Sequence, residues 1–150
     1  LDLHRYMGTW YEIARFDHRF ERGLSEVTAT YTLMPDGTVR VENRGCKHKK
    51  PYDVCKTAEG RAKIPDPSQP GKLKVSFFLS FYSDYYVLEL DQDQYNYALI
   101  GSSSDKYLWI LSRVPILPEE IKKKLLDAAT RRGYDVKKLI WVEQREKKIM

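Results

Sequence analysis

The chain has 150 residues, a length that suits one domain spanning residues 1–150 and burying roughly 70% of its extended-chain surface. Hydrophobic residues make up 42% and aromatic residues 13%, enough for a core, yet no stretch approaches the roughly 20 apolar residues of a membrane-spanning helix. The net charge of +5 is spread without one dense basic stripe, which excludes the usual nucleic-acid-binding surface and leaves ordinary solubility or attraction to an anionic lipid surface.

Apolar and polar residues alternate with period two through the first three quarters of the chain, and turn residues separate the runs. Val27, Ala29 and Tyr31, for example, alternate with threonines, so the apolar set faces one side of a strand. Eight strands are predicted in this way, near residues 10–16, 27–33, 39–44, 54–64, 72–77, 85–90, 95–102 and 106–112. The short connections favour an all-β fold, an eight-stranded antiparallel up-and-down barrel, whose closure also removes exposed sheet edges.

A single α-helix is predicted after the strands, over residues 118–133. Pro118 suits its first turn, Glu119 and Glu120 suit its positive end, and Gly133 ends it. Its apolar stripe can be buried only against the outer wall of the barrel. Residues 135–143 then predict a final short strand at the barrel edge.

Several segments resemble the lipocalin family, and the resemblance covers essentially the whole chain. The matching segments are 8–16, which opens Gly8-Thr9-Trp10, and 27–31, 73–78, 107–113 and 133–136. The resemblance is to bacterial lipocalins of the outer-membrane lipoprotein type, which group with apolipoprotein D. It implies that Trp10 closes one end of the barrel and that Arg113 packs across its indole, a cation–π contact worth roughly 0.5–2 kcal/mol. The turn at 92–95 departs from the second motif of the family.

The resemblance also implies that the barrel is a cup for a small apolar molecule. The residues that alternation places inward, Ala58 among them, are mostly apolar or aromatic, as in ligand pockets; the alternative is that they fill the barrel as a solid core. The strand that begins at Tyr85 is ambiguous, because two alternating sets compete there. The residues expected to contact the ligand are Tyr31, Val41, Val75, Phe77, Tyr85, Ile100, Tyr107 and Trp109.

Because Trp10 marks the closed end, hairpin order places the loops at 16–24, 47–53, 79–84 and 102–106 around the open one. These loops would carry a basic and aromatic rim, made of Lys47, His48, Lys49, Lys50, Phe16, Phe20, Arg22, Phe81, Tyr82 and Tyr85. An apolar cup with such a rim suits a fatty acid or a lysophospholipid, which joins an acyl tail to an anionic head. The alternative for the lysines is an ordinary solvated charge run.

Cys46 and Cys55 flank the mouth loop, and they either form a disulfide, which would fit an oxidising compartment, or remain two free thiols. No catalytic residue, metal site or cofactor site is predicted, because the chain lacks a phosphate loop, a nucleophile elbow and metal-ligand spacing. Two alternatives to a binding protein stay open. One is a lipocalin-fold enzyme with a reactive Cys, and the other is a protein-interaction module with a filled barrel.

The sequence therefore predicts a non-enzymatic protein that binds and stores or transports a small lipid, in membrane maintenance or a stress response. The resemblance implies the cell envelope, at the outer membrane facing the periplasm, with secretion as the alternative. The chain opens at Leu1 without a Met, so we expect an upstream segment, which would attach the protein to the membrane surface if it carried a lipid anchor. The resemblance also raises a homodimer, and no nucleic-acid partner is expected.

Overall fold

A computed structural model describes residues 1–18, 21–48, 52–78 and 81–144, with the backbone alone at 77, 78, 81 and 82. The eight predicted strands, the predicted helix and the final strand are all present in it. The elements are α1 (Leu3–Tyr6), β1 (Gly8–Phe16), β2 (Ser25–Leu33), β3 (Val39–Lys47), β4 (Val54–Lys63), β5 (Lys72–Phe78), β6 (Phe81–Leu90), β7 (Tyr97–Gly101), β8 (Leu108–Ser112), α2 (Glu119–Arg131), a 3-10 helix (Val136–Lys138) and β9 (Leu139–Trp141).

The strands form one sheet in the order β2-β3-β4-β5-β6-β7-β8-β1-β9, and the sheet closes because β1 also pairs with β2. All of these pairings are antiparallel, so the predicted up-and-down barrel is confirmed. β1 divides one of its edges between two partners: residues 8–11 pair with β2, and residues 14–16 pair with β9. The final strand therefore covers the part of β1 that β2 leaves unpaired.

Helix α2 packs on the outer wall of the barrel, as its apolar stripe predicts. Leu125 and Ala128 are buried in one cluster with Leu99 and Ile110 of the wall. Strands β7 and β8 are apolar on both faces because the opposite face, which includes Ile100, lines the barrel interior. Within the described ranges, no helix is both long enough and apolar enough to span a bilayer.

Trp10 and Arg113 close one end of the barrel, which confirms the pairing expected from the resemblance. Trp10 is fully buried, and the guanidinium carbon of Arg113 lies 3.8 Å from the centre of its ring. The same guanidinium donates hydrogen bonds of 2.8, 3.1 and 3.2 Å to the carbonyl oxygens of Arg5, Thr9 and Tyr95. It thereby ties α1, β1 and the β6–β7 turn together at the closed end.

Sequence periodicity does not predict α1, because four residues span barely one turn. The Asp2 side chain caps this helix, and the carbonyl of its last residue, Tyr6, accepts a 2.9 Å hydrogen bond from the Trp10 indole. Gly8 follows with a φ of +101°, and a Cβ there would lie 3.4 Å from Arg113 Nη1. Glycine therefore lets the backbone turn from α1 into β1 beside the closed end.

A β-bulge in β1 overturns one prediction. Hairpin order places Phe16 on a loop at the mouth of the barrel, but Phe16 ends strand β1, and the register between β1 and β8 shifts between Glu12 and Ala14. A bulge exchanges the faces of the residues that follow it. Arg15 consequently takes the buried position near Glu12, and Phe16 packs in the outer cluster with Tyr134, at a ring-centroid distance of 6.1 Å.

A second bulge explains why the strand at Tyr85 is ambiguous in the sequence. The register between β6 and β7 shifts between Val87 and Glu89. Tyr85, Val87 and Leu90 pack against the interior cluster, whereas Leu88 packs in the outer one. Two alternating sets compete in the sequence because each of them is correct on one side of the bulge.

Two predicted strands are too long because side chains cap turns inside them. The Asp91 carboxylate accepts hydrogen bonds from the amides of residues 93, 94 and 96, and Tyr95 adopts a φ of +55°, so β7 begins only at Tyr97. The segment predicted as a strand over 135–143 opens as a 3-10 helix, because Asp135 accepts from the Lys137 amide at 3.2 Å.

Candidate ligand-binding site

The interior of the barrel is sealed at the Trp10 end, and exposure rises away from that end along the interior-facing side of β4. On β4, Ala62 is 1% exposed and Gly60 is buried, whereas Ala58, on the same face, is exposed. On β3, Val41 is 2% exposed and Asn43 is only half-buried. Each step of two residues moves along one face of a strand. On β4, burial therefore decreases away from the Trp10 end, whereas on β3 the next residue of the same face, Gly45, is buried again.

Six of the eight predicted contact residues gather around this lumen. Three are buried in the interior cluster and three are half-buried against it, namely Tyr31, Val41 and Ile100, and then Val75, Tyr85 and Trp109. Tyr107 precedes β8 and stacks on Trp109 with a ring-centroid distance of 5.8 Å. The side chain of Phe77 lies outside the described residues. Contact between this set and a ligand stays a prediction.

The predicted rim is only partly found at the open end, and Tyr85 does not belong to it, because its hydroxyl meets those of Tyr6 and Tyr31 inside the barrel. Phe81 and Tyr82 belong to strand β6 rather than to a loop, and their side chains lie outside the described residues, as do residues 20, 49 and 50. Arg22 is exposed and pairs with Asp17, at 3.1 Å between Nε and Oδ2. Lys47 is half-buried at the end of β3.

A buried polar cluster that sequence reasoning missed holds the loop between β1 and β2 over the open end. The Arg15 guanidinium donates to the carbonyl oxygens of Glu21 and Leu24 at 2.7 and 3.0 Å. The Glu21 carboxylate accepts from the Trp109 indole at 3.0 Å and lies 2.6 Å from His18 Nε2. The loop is thus fastened to the aromatic residues of the upper lumen. The sequence did contain one signal for this cluster, the pair of charged residues Glu12 and Arg15 inside an otherwise apolar strand.

The pKa values of Glu12 and Glu21 are shifted in opposite directions in this cluster. Burial raises the pKa of Glu12 well above its ordinary value, and the neighbouring Glu21 raises it further. Burial also raises the pKa of Glu21, but hydrogen bonds from Glu12, His18 and Trp109 outweigh it and lower that pKa to about 2. Glu12 Oε1 and Glu21 Oε2 lie 3.7 and 3.9 Å from Arg15 Nη1, too far for a hydrogen bond but close enough for ionic attraction.

We expect Glu21→Gln to lower the free energy of unfolding at pH 7 by roughly 2–3 kcal/mol. A depressed carboxyl pKa stabilises the fold above the ordinary value of 4.5, and this contribution is lost as the pH falls towards about 2. The contribution of Glu12 to the free energy of unfolding depends on pH in the opposite way. A raised pKa stabilises the fold below 4.5, and this contribution is lost as the pH rises. Glu12→Gln should therefore raise stability at alkaline pH.

Urea denaturation of both variants across acidic and alkaline pH measures these effects. Glu119→Gln is the matched control, because the Glu119 side chain is 88% exposed on the helix surface. Its pH profile should follow that of the wild type. Profiles that stay parallel to the wild type for both cluster variants would contradict the opposite pKa shifts of Glu12 and Glu21.

Glu26, His48 and Asp53 form a second polar group at the open end. His48 Nδ1 lies 3.0 Å from Asp53 Oδ1, and His48 Nε2 lies 2.9 Å from Ser25 Oγ. Among the described residues, these three offer metal-ligating atoms within 4.8 Å of one another. Both His48 nitrogens are already engaged and the residues are accessible to water, so the absence of a metal site stays our prediction. The two carboxylates partly offset the basic charge of the rim.

A disulfide joins Cys46 and Cys55, with an S–S distance of 2.09 Å and a Cα–Cα distance of 4.0 Å. The two residues face each other directly in the β3–β4 register, so the bond links these two strands next to the loop at 47–53. The chain has two cysteines and both are used. The structure therefore decides between the disulfide and free thiols, and it removes the reactive-Cys enzyme as an alternative.

The double variant Cys46→Ser/Cys55→Ser should lower the free energy of unfolding by about 2–3 kcal/mol, because the bond restricts the unfolded chain over a short loop. Urea denaturation measures the loss. Wild-type protein treated with a reductant is the matched control and should unfold at the same midpoint as the double variant. Equal stability of the oxidised wild type and the double variant would contradict the expected stabilisation by the disulfide.

An antiparallel eight-stranded barrel sealed by a Trp–Arg pair, with one helix on its outer wall, is a lipocalin fold. Residues 1–144 match the family described as Lipocalin-like domain, and the chain belongs to this family. Membership implies binding of a small hydrophobic molecule. The insecticyanin structure from the tobacco hornworm Manduca sexta, 23% identical, has a TM-score of 0.74 and covers 97% of this chain and 82% of that one, which supports the fold alone.

Curated relatives include the outer membrane lipoprotein Blc of Citrobacter freundii and of Escherichia coli strain K12. Each is 50% identical over 143 residues, 95% of this chain and 79% of the relative. Apolipoprotein D of Mus musculus is 35% identical over 151 residues, 95% of this chain and 77% of the relative. The predicted family and group are thus confirmed, and the predicted outer-membrane location agrees with relatives that are outer membrane lipoproteins. None of these names denotes an enzyme.

Proposed function

We propose that the protein binds a fatty acid or a lysophospholipid, with the acyl chain in the barrel lumen and the polar head at the open end. The observation that carries the proposal is an apolar interior that is buried at Tyr31, Val41 and Ile100 but only half-buried at Val75, Tyr85 and Trp109. Ala58, Gly60 and Ala62 add little side-chain volume on the interior face of β4, which favours a ligand cavity over a solid core.

The energetics of an acyl chain suit this lumen. Each buried methylene contributes about 0.8 kcal/mol, so roughly ten of them supply the about 8 kcal/mol that correspond to micromolar affinity. The upper lumen adds aromatic surface from Tyr107 and Trp109, which stack with their ring planes 11° apart. The net charge of +5 favours an anionic head group at the mouth.

Binding is the whole of the proposed mechanism, and no bond is made or broken. The proposed task is storage or transport of lipid during membrane maintenance or stress. The proposal places the protein at the outer membrane, where the lipoprotein relatives lie, with an anchor upstream of Leu1. The disulfide agrees with an oxidising compartment such as the periplasm. A homodimer and the extent of the domain remain separate predictions.

Titration of the intrinsic tryptophan fluorescence with oleic acid and with a lysophospholipid tests the proposal. Trp109 is half-buried beside the lumen, so its emission should change saturably, whereas Trp10 is sealed in the floor. Trp109→Phe should remove most of the signal but retain binding in calorimetry. Absence of saturable binding of either lipid by both methods would overturn the proposed function. Mass spectrometry of lipid that co-purifies with the protein gives an independent reading.

A further inference from the structure

Three tyrosine hydroxyls meet on the floor of the lumen. Tyr6 comes from α1, Tyr31 from β2 and Tyr85 from β6. The Tyr85 hydroxyl lies 2.5 Å from that of Tyr6 and 2.9 Å from that of Tyr31. All three rings belong to the interior cluster or pack against it, and the Tyr6 ring lies 5.0 Å from that of Trp10. The apolar cup therefore ends in a small polar group.

This triad always has one hydroxyl proton to spare. Each tyrosine supplies one O–H donor, and two hydrogen bonds link the three groups. If the chain runs from Tyr6 through Tyr85 to Tyr31, the unused proton is on Tyr31, and in the reverse direction it is on Tyr6. If Tyr85 accepts both bonds, its own proton is unused. In every case one donor has no acceptor among the described residues, and leaving such a donor unpaired in the interior is unfavourable.

The spare donor is accessible from the lumen rather than from outside the barrel. Tyr6 and Tyr31 are 1% and 7% exposed and belong to the interior cluster. Tyr85 faces the same interior, opposite the buried Leu73 on β5, yet it is only half-buried. The three hydroxyls are therefore enclosed on the interior side of the sheet, so a ligand would reach them through the lumen.

The surroundings favour an uncharged oxygen over an ionised one. Burial raises the pKa of all three hydroxyls above the ordinary value, so they remain neutral donors. The carboxyls of Glu12 and Glu21 also raise the pKa of Tyr31, which disfavours another anion. Arg113, whose charge lowers the pKa of Tyr31, directs its described hydrogen bonds to backbone carbonyls at the closed end. A carboxylate here would be buried with a single donor, which is costly, whereas a hydroxyl can accept from one tyrosine and donate to another.

We propose that Tyr6, Tyr31 and Tyr85 form a polar subsite for a hydroxyl or carbonyl oxygen at the buried end of an acyl chain. The protein would accordingly prefer chains oxygenated near their far end, of which an ω-hydroxy fatty acid is the simplest. This inference rests on the proposed function, because it requires the acyl chain to enter the lumen with its carboxylate at the open end.

Calorimetric titration with saturated fatty acids and their ω-hydroxy counterparts of matched length tests the subsite. In the wild type, the ω-hydroxy acid should bind at least as tightly as the plain acid at the length that reaches the floor. In Tyr6→Phe/Tyr31→Phe/Tyr85→Phe, which keeps the rings, the ratio of the two dissociation constants should shift against the hydroxy acid by roughly 10-fold or more. Tyr85→Phe alone should shift this ratio in the same direction. This single variant replaces the triple variant in the test if the triple variant does not fold.

Tyr97→Phe is the matched control, because the Tyr97 hydroxyl accepts from Lys124 on the outer side of the barrel; its ratio should equal that of the wild type. If plain and hydroxy acids both bind but the ratio is the same in the wild type and the triad variants, the subsite is refuted and the proposed function stands. If neither acid binds the wild type, the proposed function fails and this inference fails with it.

Discussion

Trp10→Ala is expected to lower the free energy of unfolding by about 3–5 kcal/mol, the largest stability effect that we expect of a single substitution. Trp10 is fully buried, and its ring packs between Tyr6, at 5.0 Å, and the Arg113 guanidinium, at 3.8 Å. Truncation would leave a cavity in the floor and strip Arg113 of its aromatic partner. Urea denaturation, followed by circular dichroism, measures the loss.

Trp141→Ala is the matched control for this prediction. Trp141 lies in the short strand β9 and is 47% exposed, so its removal should change stability by less than about 1 kcal/mol. Similar losses for the two variants would mean that the Trp–Arg closure contributes no more than an ordinary surface contact.

Ala58→Phe is expected to weaken binding of a long-chain fatty acid by roughly 10-fold or more, with little change in stability. Ala58 shares the lumen-facing side of β4 with Gly60 and Ala62 and is exposed, so a larger side chain there has room in the upper lumen. A phenyl ring that displaces two or more methylenes of the ligand removes about 0.8 kcal/mol for each one. Calorimetric titration measures the affinity, and thermal unfolding checks the fold.

Thr57→Phe is the control, since Thr57 is the next residue on the strand and faces the opposite side. It is exposed and pairs with Arg44 of β3, so a ring there adds bulk without entering the lumen. Its affinity should match the wild type. If both variants weaken binding equally, or if neither does, the ligand does not occupy the lumen beside Ala58.

Prediction from the sequence succeeded where the signal is local. Alternation with period two located the eight strands, and helical spacing located α2, because both patterns reflect which side of one element is buried. It failed at the bulges, where a single extra residue exchanges the faces. Phe16 was expected at the mouth and lies in the outer core, and the residues after Tyr85 could not be assigned to a face. Helix α1 is too short for a helical periodicity of apolar residues to be recognised in the sequence.

The sequence by itself determined the barrel and the outer helix, because strand and helix patterns are carried by residues close together in the chain; the resemblance carried by its motifs determined the family and the Trp10–Arg113 closure. Only the tertiary structure decided three features: the bond between Cys46 and Cys55, the opposite pKa shifts of Glu12 and Glu21, and the tyrosine triad on the floor. Each of these depends on side chains that become neighbours only when antiparallel strands pair in register and the barrel closes. The pKa shifts of the two carboxyls and the spare donor of the tyrosines arise from burial among those neighbours, which no local pattern of residues encodes.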